Sequence, residues 1–145
     1  MYSHILIGLN RSAAAHRALR QAIRLAATFN ATLTAVAVTP SLPLYAAYAT
    51  ALDPGARQIM EEDQQTSSAE LLETARREAL QHSIEIETIQ SSGPVTDSLF
   101  EAVRAKHIDL LVLGIHLDHG LPGFLSGATA HELAEKATCD VLGVH

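Results

Sequence analysis

The sequence has little from which to build disulfides, a cysteine-based metal centre or an aromatic core. Its 145 residues include a single cysteine, Cys139, and no tryptophan, and aromatic residues make up only 4% of the chain. One cysteine excludes an intramolecular disulfide and a zinc site made of several cysteines. Because 48% of the residues are hydrophobic, the core must consist mainly of Ala, Leu, Ile and Val. We interpret Cys139 as a small buried hydrophobic residue.

Positive charge is also scarce. The chain has 10 Lys plus Arg against 16 Asp plus Glu, for a formal net charge of -6. This balance argues against a general affinity for nucleic acid or anionic membrane surfaces, although a local basic patch stays possible. The residues after Met1 include neither a basic segment nor a long apolar run, so we expect no signal peptide and no membrane span. We predict a cytosolic protein with one domain over residues 1 to 145.

Short apolar runs alternate with segments of helical periodicity in the first part of the chain. Residues 4 to 9 form a continuous apolar run, typical of a strand buried on both faces. Ser12 is a predicted N-cap of a helix that runs to about Phe29. Residues 31 to 38 are rich in β-branched side chains and predict a second strand. Residues 39 to 55 show no sustained period and are predicted to be a long loop that is functional or mobile.

The second part of the chain continues this alternation. A helix is predicted over residues 56 to 82, packed mainly through its second half, and an edge strand over 83 to 90. Gly93 and Pro94 open the next helix, which is followed by a buried strand over 109 to 114 and a loop over 115 to 126. Gly127 opens the last helix, and the last strand covers residues 140 to 144.

This order of elements predicts an α/β fold with a doubly wound five-stranded parallel sheet and helices on both faces, because parallel strands need crossover connections. Sheets of this kind bind ligands beyond the carboxyl ends of their strands, where the strand order reverses. With the order 3-2-1-4-5, that point lies between the first and fourth strands. The residues there are Leu9, Asn10 and Arg11 on one side and Leu113, Gly114 and Ile115 on the other.

Two features near this point predict a phosphate-bearing ligand. Gly114 follows a buried strand, where a glycine lets a ligand approach the backbone closely. Residues 127 to 129 open a helix, whose first N–H groups are unpaired and carry partial positive charge. The chain contains neither the GxxxxGK[ST] pattern of P-loop proteins nor the GxGxxG pattern of dinucleotide-binding folds.

Several segments together resemble the universal stress proteins, over essentially the whole chain. They are the first strand with Asn10-Arg11-Ser12 after it, the Gly93-Pro94 helix start, the run from Asp109 to His116, and the closing Cys139-Asp140-Val141-Leu142. The resemblance implies a five-stranded sheet of the kind expected above and a homodimer formed through the last strands, here Asp140 to Val144. It also implies the ATP-binding motif of one branch: Gly, two residues, Gly, nine residues, then Gly followed by Ser or Thr.

This motif is incomplete in the present chain. Gly114 and Gly127 stand at the required spacing, but Leu117 replaces the second glycine and Ala128 replaces the hydroxyl residue. Thr129 offers a hydroxyl one position later, turned by about 100° around the helix. Asn10 stands where the ATP-binding branch usually has Asp, so that it keeps an acceptor but loses the charge.

The base pocket is better preserved than the phosphate site. Val38 and Leu113 match apolar positions that line the adenine pocket in the ATP-binding branch, and His116 stands where the family often has a histidine beside the phosphates. The predicted nucleotide-binding residues are therefore Leu9, Asn10, Val38, Leu113, Gly114, His116, Gly127, Ala128 and Thr129. A nucleotide with fewer phosphates, AMP or ADP, is a reasonable hypothesis beside ATP, and the question of a divalent metal stays open.

Three functional hypotheses remain at this point. The leading one is a homodimeric stress-response or signalling protein that binds an adenine nucleotide without committed catalysis. The alternatives are a protein-interaction member of the family that binds no nucleotide, and a weak nucleotide hydrolase. No catalytic residue is assigned, because the serines and histidines form no arrangement that sequence alone supports. His116, Asp118 and His119 suggest a metal site, but their spacing fixes no third ligand, so solvated histidines in a polar loop are the preferred interpretation.

Overall fold

A computed structural model describes residues 1–39, 44–116 and 127–145, and the structural statements below concern those residues. The strands are β1 (His4–Leu9), β2 (Thr32–Thr39), β3 (Ile86–Ser92), β4 (Leu110–Gly114) and β5 (Asp140–Val144). The helices are α1 (Ala13–Phe29), α2 (Leu44–Ala51), α3 (Pro54–Gln81), α4 (Val95–Ala105) and α5 (Gly127–Lys136). Within the described ranges, no helix has both the length and the apolar character required to cross a membrane.

The five strands form one parallel sheet in the order β3-β2-β1-β4-β5, which confirms the predicted topology. β1 pairs with β2 on one side and with β4 on the other, so the chain order reverses between β1 and β4. Leu9 is aligned with Ala37, and Gly8 with Leu113. The carboxyl ends of β1, β2 and β4 therefore meet at one edge of the sheet, which we call the carboxyl edge.

Apolar side chains fill both faces of the sheet. One cluster joins β1 and β2 to α1 and α3, and contains Ile7, Ala18, Ala22 and Leu72. The other joins β4 to α4 and α5, and contains Leu111, Leu99, Val103 and Leu133. Ala18, Ala22 and Ala26 of α1 are completely buried. These small side chains let the helix approach the sheet closely, as the composition predicted.

The helix predicted after Ser12 is confirmed together with its cap. The Ser12 hydroxyl accepts a hydrogen bond from the backbone N–H of Ala15 at 3.0 Å, and the serine itself is buried. At the other end, Asn30 adopts a left-handed conformation with φ of 53°. Such a residue directly after a helix stops it by turning the chain away, which sets the start of β2.

The long loop predicted over residues 39 to 55 is wrong where the structure describes helices, and residues 40–43 of this range lie outside the described residues. Residues 44–51 form α2, and α3 begins at Pro54 rather than at Ala56. α2 is rich in alanine, which has a high helix propensity. Alanine does not distinguish a buried helix face from an exposed one, so the segment shows little hydrophobic periodicity. The Asp53 side chain accepts hydrogen bonds from the N–H groups of Gly55 and Ala56, and Pro54 occupies the first turn, where its missing N–H costs nothing.

The third strand also begins later than predicted, at Ile86 rather than at residue 83. Ser83 has φ of 59°, and the N–H of Ile84 donates to the carbonyl of Ala79. These residues close the carboxyl end of α3 and are therefore unavailable to the strand. The position of β3 at an edge of the sheet is confirmed.

Only the second half of α3 packs on the sheet. The helix has 28 residues, and its buried residues are Leu72, Ala75 and Ala79. A helix of this length spans about 42 Å, whereas the eight residues of β2 span about 27 Å. Because α3 starts at the carboxyl edge, residues 54–66 extend beyond the sheet as an overhanging half of the helix.

Candidate functional site

The reversal of strand order brings the ends of β1 and β4 side by side at the carboxyl edge. Asn10 follows β1 directly and Gly114 ends β4, and the two strands are paired up to Gly8 and Leu113. The two strands connect to helices on opposite faces of the sheet. In sheets of this type such a divergence leaves a crevice above the strand ends, and ligands bind there.

Asn10 is held in a fixed orientation at this crevice. Its side-chain oxygen accepts a hydrogen bond from the backbone N–H of Ser12 at 2.9 Å. Ser12 in turn caps α1, so the turn between β1 and α1 is stabilised by two consecutive side-chain to backbone hydrogen bonds. The first turn of α1 contains no acidic residue. The partial positive charge of this helix end is therefore not offset from within the turn.

The three apolar residues predicted for the base pocket differ in what they expose. Leu9 and Leu113 are buried, with 7% and 0% of their surface exposed, and their side chains belong to the cores on opposite faces of the sheet. Val38 is half-buried and packs against the same core cluster as Leu113. Val38 is thus the one of the three whose side chain has surface to offer a ligand, and Leu113 belongs to the core cluster on which it packs.

Gly114 has a packing role that the sequence did not indicate. A Cβ atom at this position would overlap the backbone of Ala14 and Ala15 in the first turn of α1. The glycine therefore allows α1 to lie directly against the end of β4. The sequence predicted a close approach of a ligand to this backbone, whereas the close approach that the structure describes is that of α1.

The remaining predicted ligand residues come from the two ends of the segment between β4 and α5. His116 and Thr129 are half-buried, and Gly127 and Ala128 form the start of α5. Leu117, Asp118, His119 and the rest of the predicted loop up to Ser126 lie outside the described residues. In the part of the chain that the structure does describe, no group of three or more His, Cys, Asp or Glu side chains is placed to bind a metal ion.

Three hydrogen bonds that the sequence did not predict connect the carboxyl edge to α3. Arg11 donates from its Nε to the Ser67 hydroxyl at 2.9 Å and from Nη2 to the same oxygen. The hydroxyls of Thr39 and Ser68 lie 3.0 Å apart. These contacts are made where the overhanging half of α3 meets its packed half. The two consecutive serines were the available sequence signal, since they interrupt the apolar stripe of the helix at that point.

A cavity of about 1080 Å³ lies beneath the overhanging half of α3. Its walls come from the ends of β2 and β3, from α2 and from α3, and most of its lining side chains are uncharged amides and hydroxyls, among them Gln64, Gln90 and Ser91. Its charged lining residues, Arg57 and Glu61, form an ion pair at 3.0 Å. The cavity lies beside the β1–β4 crevice, on the β2–β3 side of the sheet.

Comparison with known proteins identifies the family. The model of the universal stress protein family matches residues 1–145. The chain belongs to the universal stress protein family. Universal stress protein A homolog 1 of Coxiella burnetii is 31% identical over 146 residues, which cover 99% of this chain and 96% of the relative. The universal stress protein UspA of Lactobacillus plantarum has the same fold, with a TM-score of 0.80 at 22% identity over 99% of this chain and 98% of that one.

Two further structures of the family were solved with nucleotides. A universal stress protein in complex with cAMP has a TM-score of 0.67 at 23% identity, and the match covers 99% of this chain and 97% of that one. A universal stress family protein of Arabidopsis thaliana with AMP bound has a TM-score of 0.69 at 16% identity, over 98% of this chain and 90% of that one. At these identities the likeness establishes a shared fold.

Proposed function

We propose that this universal stress protein binds an adenine nucleotide, AMP, ADP or ATP, in the crevice between β1 and β4, and that it acts in stress response or signalling without committed catalysis. The observation that carries the proposal is the position of Asn10 at the end of β1, between Val38 near the end of β2 and Gly114 at the end of β4. The family relatives solved with AMP and cAMP support it.

The crevice suits a base and ribose better than a triphosphate. The half-buried Val38, which packs on the core cluster that contains Leu113, offers an apolar surface on which an adenine ring can lie. Asn10 stands beside this surface as a polar group of fixed orientation. At the phosphate end, the chain carries Leu117 and Ala128 in place of a glycine and a hydroxyl residue, which removes two of the four motif positions expected to hold phosphates.

The first test is chemical identification of a carried ligand. The purified protein is denatured, and the released small molecules are analysed by mass spectrometry for AMP, ADP, ATP and cAMP. The nucleotide-free protein is then titrated with each of these by calorimetry. We expect released nucleotide or dissociation constants below the millimolar range. Absence of both contradicts the proposal and favours a protein-interaction role without nucleotide.

The second test is a pair of matched variants. Val38→Ala removes the exposed apolar surface at the crevice, whereas Ile89→Ala removes a half-buried residue that packs against the same core cluster away from the crevice. Val38→Ala removes two methyl groups from the ligand contact, so the affinities for adenosine and AMP are expected to fall about five- to tenfold. Ile89→Ala is expected to keep the affinity of the unchanged protein. Equal affinities in the two variants would place the base elsewhere.

We also propose a homodimer that pairs β5 of one chain with β5 of a second copy. β5 is an edge strand whose residues 141 to 144 are uncharged, and Leu142 keeps 36% of its surface exposed. The opposite edge strand, β3, is flanked by Lys106 paired with Glu87 at 3.0 Å and by Arg76, which donates to Thr88. Charges of this kind protect an edge from pairing, so β5 is the edge suited to association.

A further inference from the structure

We propose that Arg11 binds the phosphate of the nucleotide and makes the site selective for adenine nucleotides over adenosine. The proposal rests on the proposed nucleotide site and adds the group that recognises the anion. Arg11 follows Asn10 directly, its side chain is exposed, and it lies two residues before the first residue of α1. It therefore stands at the rim of the crevice.

The partner that Arg11 has in this structure is a poor match for a guanidinium group. Both Nε and Nη2 donate to one neutral oxygen, the Ser67 hydroxyl. A guanidinium has five N–H donors in a planar fork, which suits two oxygens of a phosphate or carboxylate. Among the described residues, the ion pairs that form join other side chains, and none involves Arg11. Within residues 1–39, 44–116 and 127–145, no carboxylate forms an ion pair that neutralises its positive charge.

The backbone of Arg11 belongs to the turn between β1 and α1, and its side chain reaches Ser67 of α3. The first turn of α1 lies directly against Gly114, so the turn of residues 10 to 12 runs from the end of β1 toward the end of β4. The same helix end has no acidic residue in its first turn, and its dipole adds to the positive potential there. Because Leu117 and Ala128 replace two residues of the motif, a phosphate has fewer partners from the motif itself.

The exchange of partners involves no loss of core packing. Arg11 is exposed and Ser67 is half-buried, so the guanidinium can leave the hydroxyl by rotation of its own side chain. Ser67 then becomes accessible to water, and Thr39 with Ser68 still connects β2 to α3. A bidentate, charge-assisted contact with phosphate is stronger than the two bonds to one hydroxyl that it replaces.

The test is the ratio of the affinities for AMP and adenosine, measured by calorimetry in the full chain. The variants are Arg11→Gln, Arg11→Lys, Ser67→Ala and, as a control with the same charge change on an exposed side chain of α1, Arg20→Gln. We expect Arg11→Gln to weaken AMP at least tenfold while adenosine changes less than twofold, with Arg11→Lys in between. Arg20→Gln is expected to leave both affinities unchanged.

Ser67→Ala separates phosphate binding from a structural role of the same hydrogen bonds. If Arg11 binds phosphate, loss of the hydroxyl frees the guanidinium, and AMP binds as tightly as before or more tightly. If Arg11 serves only to hold α3, Ser67→Ala weakens AMP as much as Arg11→Gln does, and the proposal is overturned. If the unchanged protein binds AMP and adenosine with equal affinity, the role proposed for Arg11 is overturned, whereas the proposed nucleotide site is not contradicted. Absence of binding by both ligands overturns the site and this inference together.

Discussion

Gly114 at the end of β4 lies against the backbone of Ala15 in α1, so closely that a Cβ atom on residue 114 would overlap the Ala15 nitrogen. Backbone atoms on both sides of this contact cannot move without displacing a strand or a helix. We therefore expect Gly114→Ala to destabilise the protein by about 2 to 3 kcal/mol, measured as the free energy of unfolding in urea.

Gly55→Ala is the matched control for this substitution. A Cβ at residue 55 would meet only the Asp53 side chain, at an ordinary contact distance of 3.4 Å. Because Gly55 lies in α3, alanine there is expected to be neutral or slightly stabilising. Equal stabilities of the two variants would contradict the packing role of Gly114. The comparison also matters for binding studies, since a Gly114 variant that binds no nucleotide has lost structure as well as any phosphate contact.

Leu142 occupies the middle of the five-residue strand β5. A two-fold axis through the middle of this strand places Leu142 opposite its own copy, where two like charges destabilise the pair. If the proposed dimer forms through β5, Leu142→Asp is expected to convert it into a monomer, measured by size-exclusion chromatography with light scattering. Removal of residues 141 to 145 is a less informative test, because β4 then loses its own partner strand.

Leu80→Asp is the control for the dimer test. Leu80 is 56% exposed on α3 and lies near β3, at the opposite edge of the sheet. This variant is expected to keep the molecular mass of the unchanged protein. A dimer that persists in Leu142→Asp and dissociates in Leu80→Asp would assign the interface to β3 instead.

The Asp109 carboxylate holds the start of the chain to β4. Its two oxygens accept hydrogen bonds from the backbone N–H groups of Ser3, at 2.8 Å, and His4, at 3.0 Å. We expect Asp109→Ala to lower the free energy of unfolding by about 1 to 2 kcal/mol. Asp109→Asn keeps one acceptor oxygen and is expected to lose about half as much. The exposed Asp63, substituted by alanine, serves as a control with an expected change within about 0.5 kcal/mol.

Cys139 precedes β5 and packs against the core cluster that contains Leu111. Burial raises the pKa of the Cys139 thiol above its ordinary value of 9.0, and a backbone hydrogen bond at Leu111 offsets part of this effect. The folded protein at pH 8 is therefore expected to react with iodoacetamide more slowly than the same protein unfolded in urea.

The same pKa shift predicts a pH dependence of stability. Since the folded state favours the neutral thiol, its stabilising contribution is complete below pH 9.0 and is lost as the pH rises through the folded-state pKa. Unfolding of the protein and of a Cys139→Ser variant is compared from pH 7 to 10.5. The unchanged protein is expected to lose more stability above pH 9 than the variant does. Parallel curves, or equal alkylation rates of the folded and unfolded chain, would indicate an exposed thiol.

Local signals in the sequence were sufficient for most of the fold. The runs at residues 4 to 9 and 109 to 114 are apolar throughout, because both faces of a central parallel strand are covered, and Ser12 has the side chain that a helix start requires. The region of residues 39 to 55 was assigned wrongly because α2 has few polar side chains to mark an exposed face. The start of β3 was misplaced because Ile84 continues the alternating pattern while its backbone closes α3.

The candidate site depended more on contacts between distant parts of the chain. Asn10 and Gly114 were located by topology, since the end of a strand is a local feature and the strand order follows general rules. The contact of Gly114 with Ala15 and the bonds from Arg11 to Ser67 join residues far apart in sequence. Neither has a local signature, because a glycine or an arginine at such a position is compatible with several environments.

The overhanging half of α3 contributes no buried side chain to the core. Most of the free energy that folds the sheet is therefore independent of the identity of residues 54–66. Substitutions in this segment, including those of the exposed Ile59 or of the Arg57–Glu61 ion pair, are expected to change the free energy of unfolding only slightly. Divergence among relatives can thus alter the wall of the neighbouring cavity while the proposed nucleotide site and the sheet stay as they are.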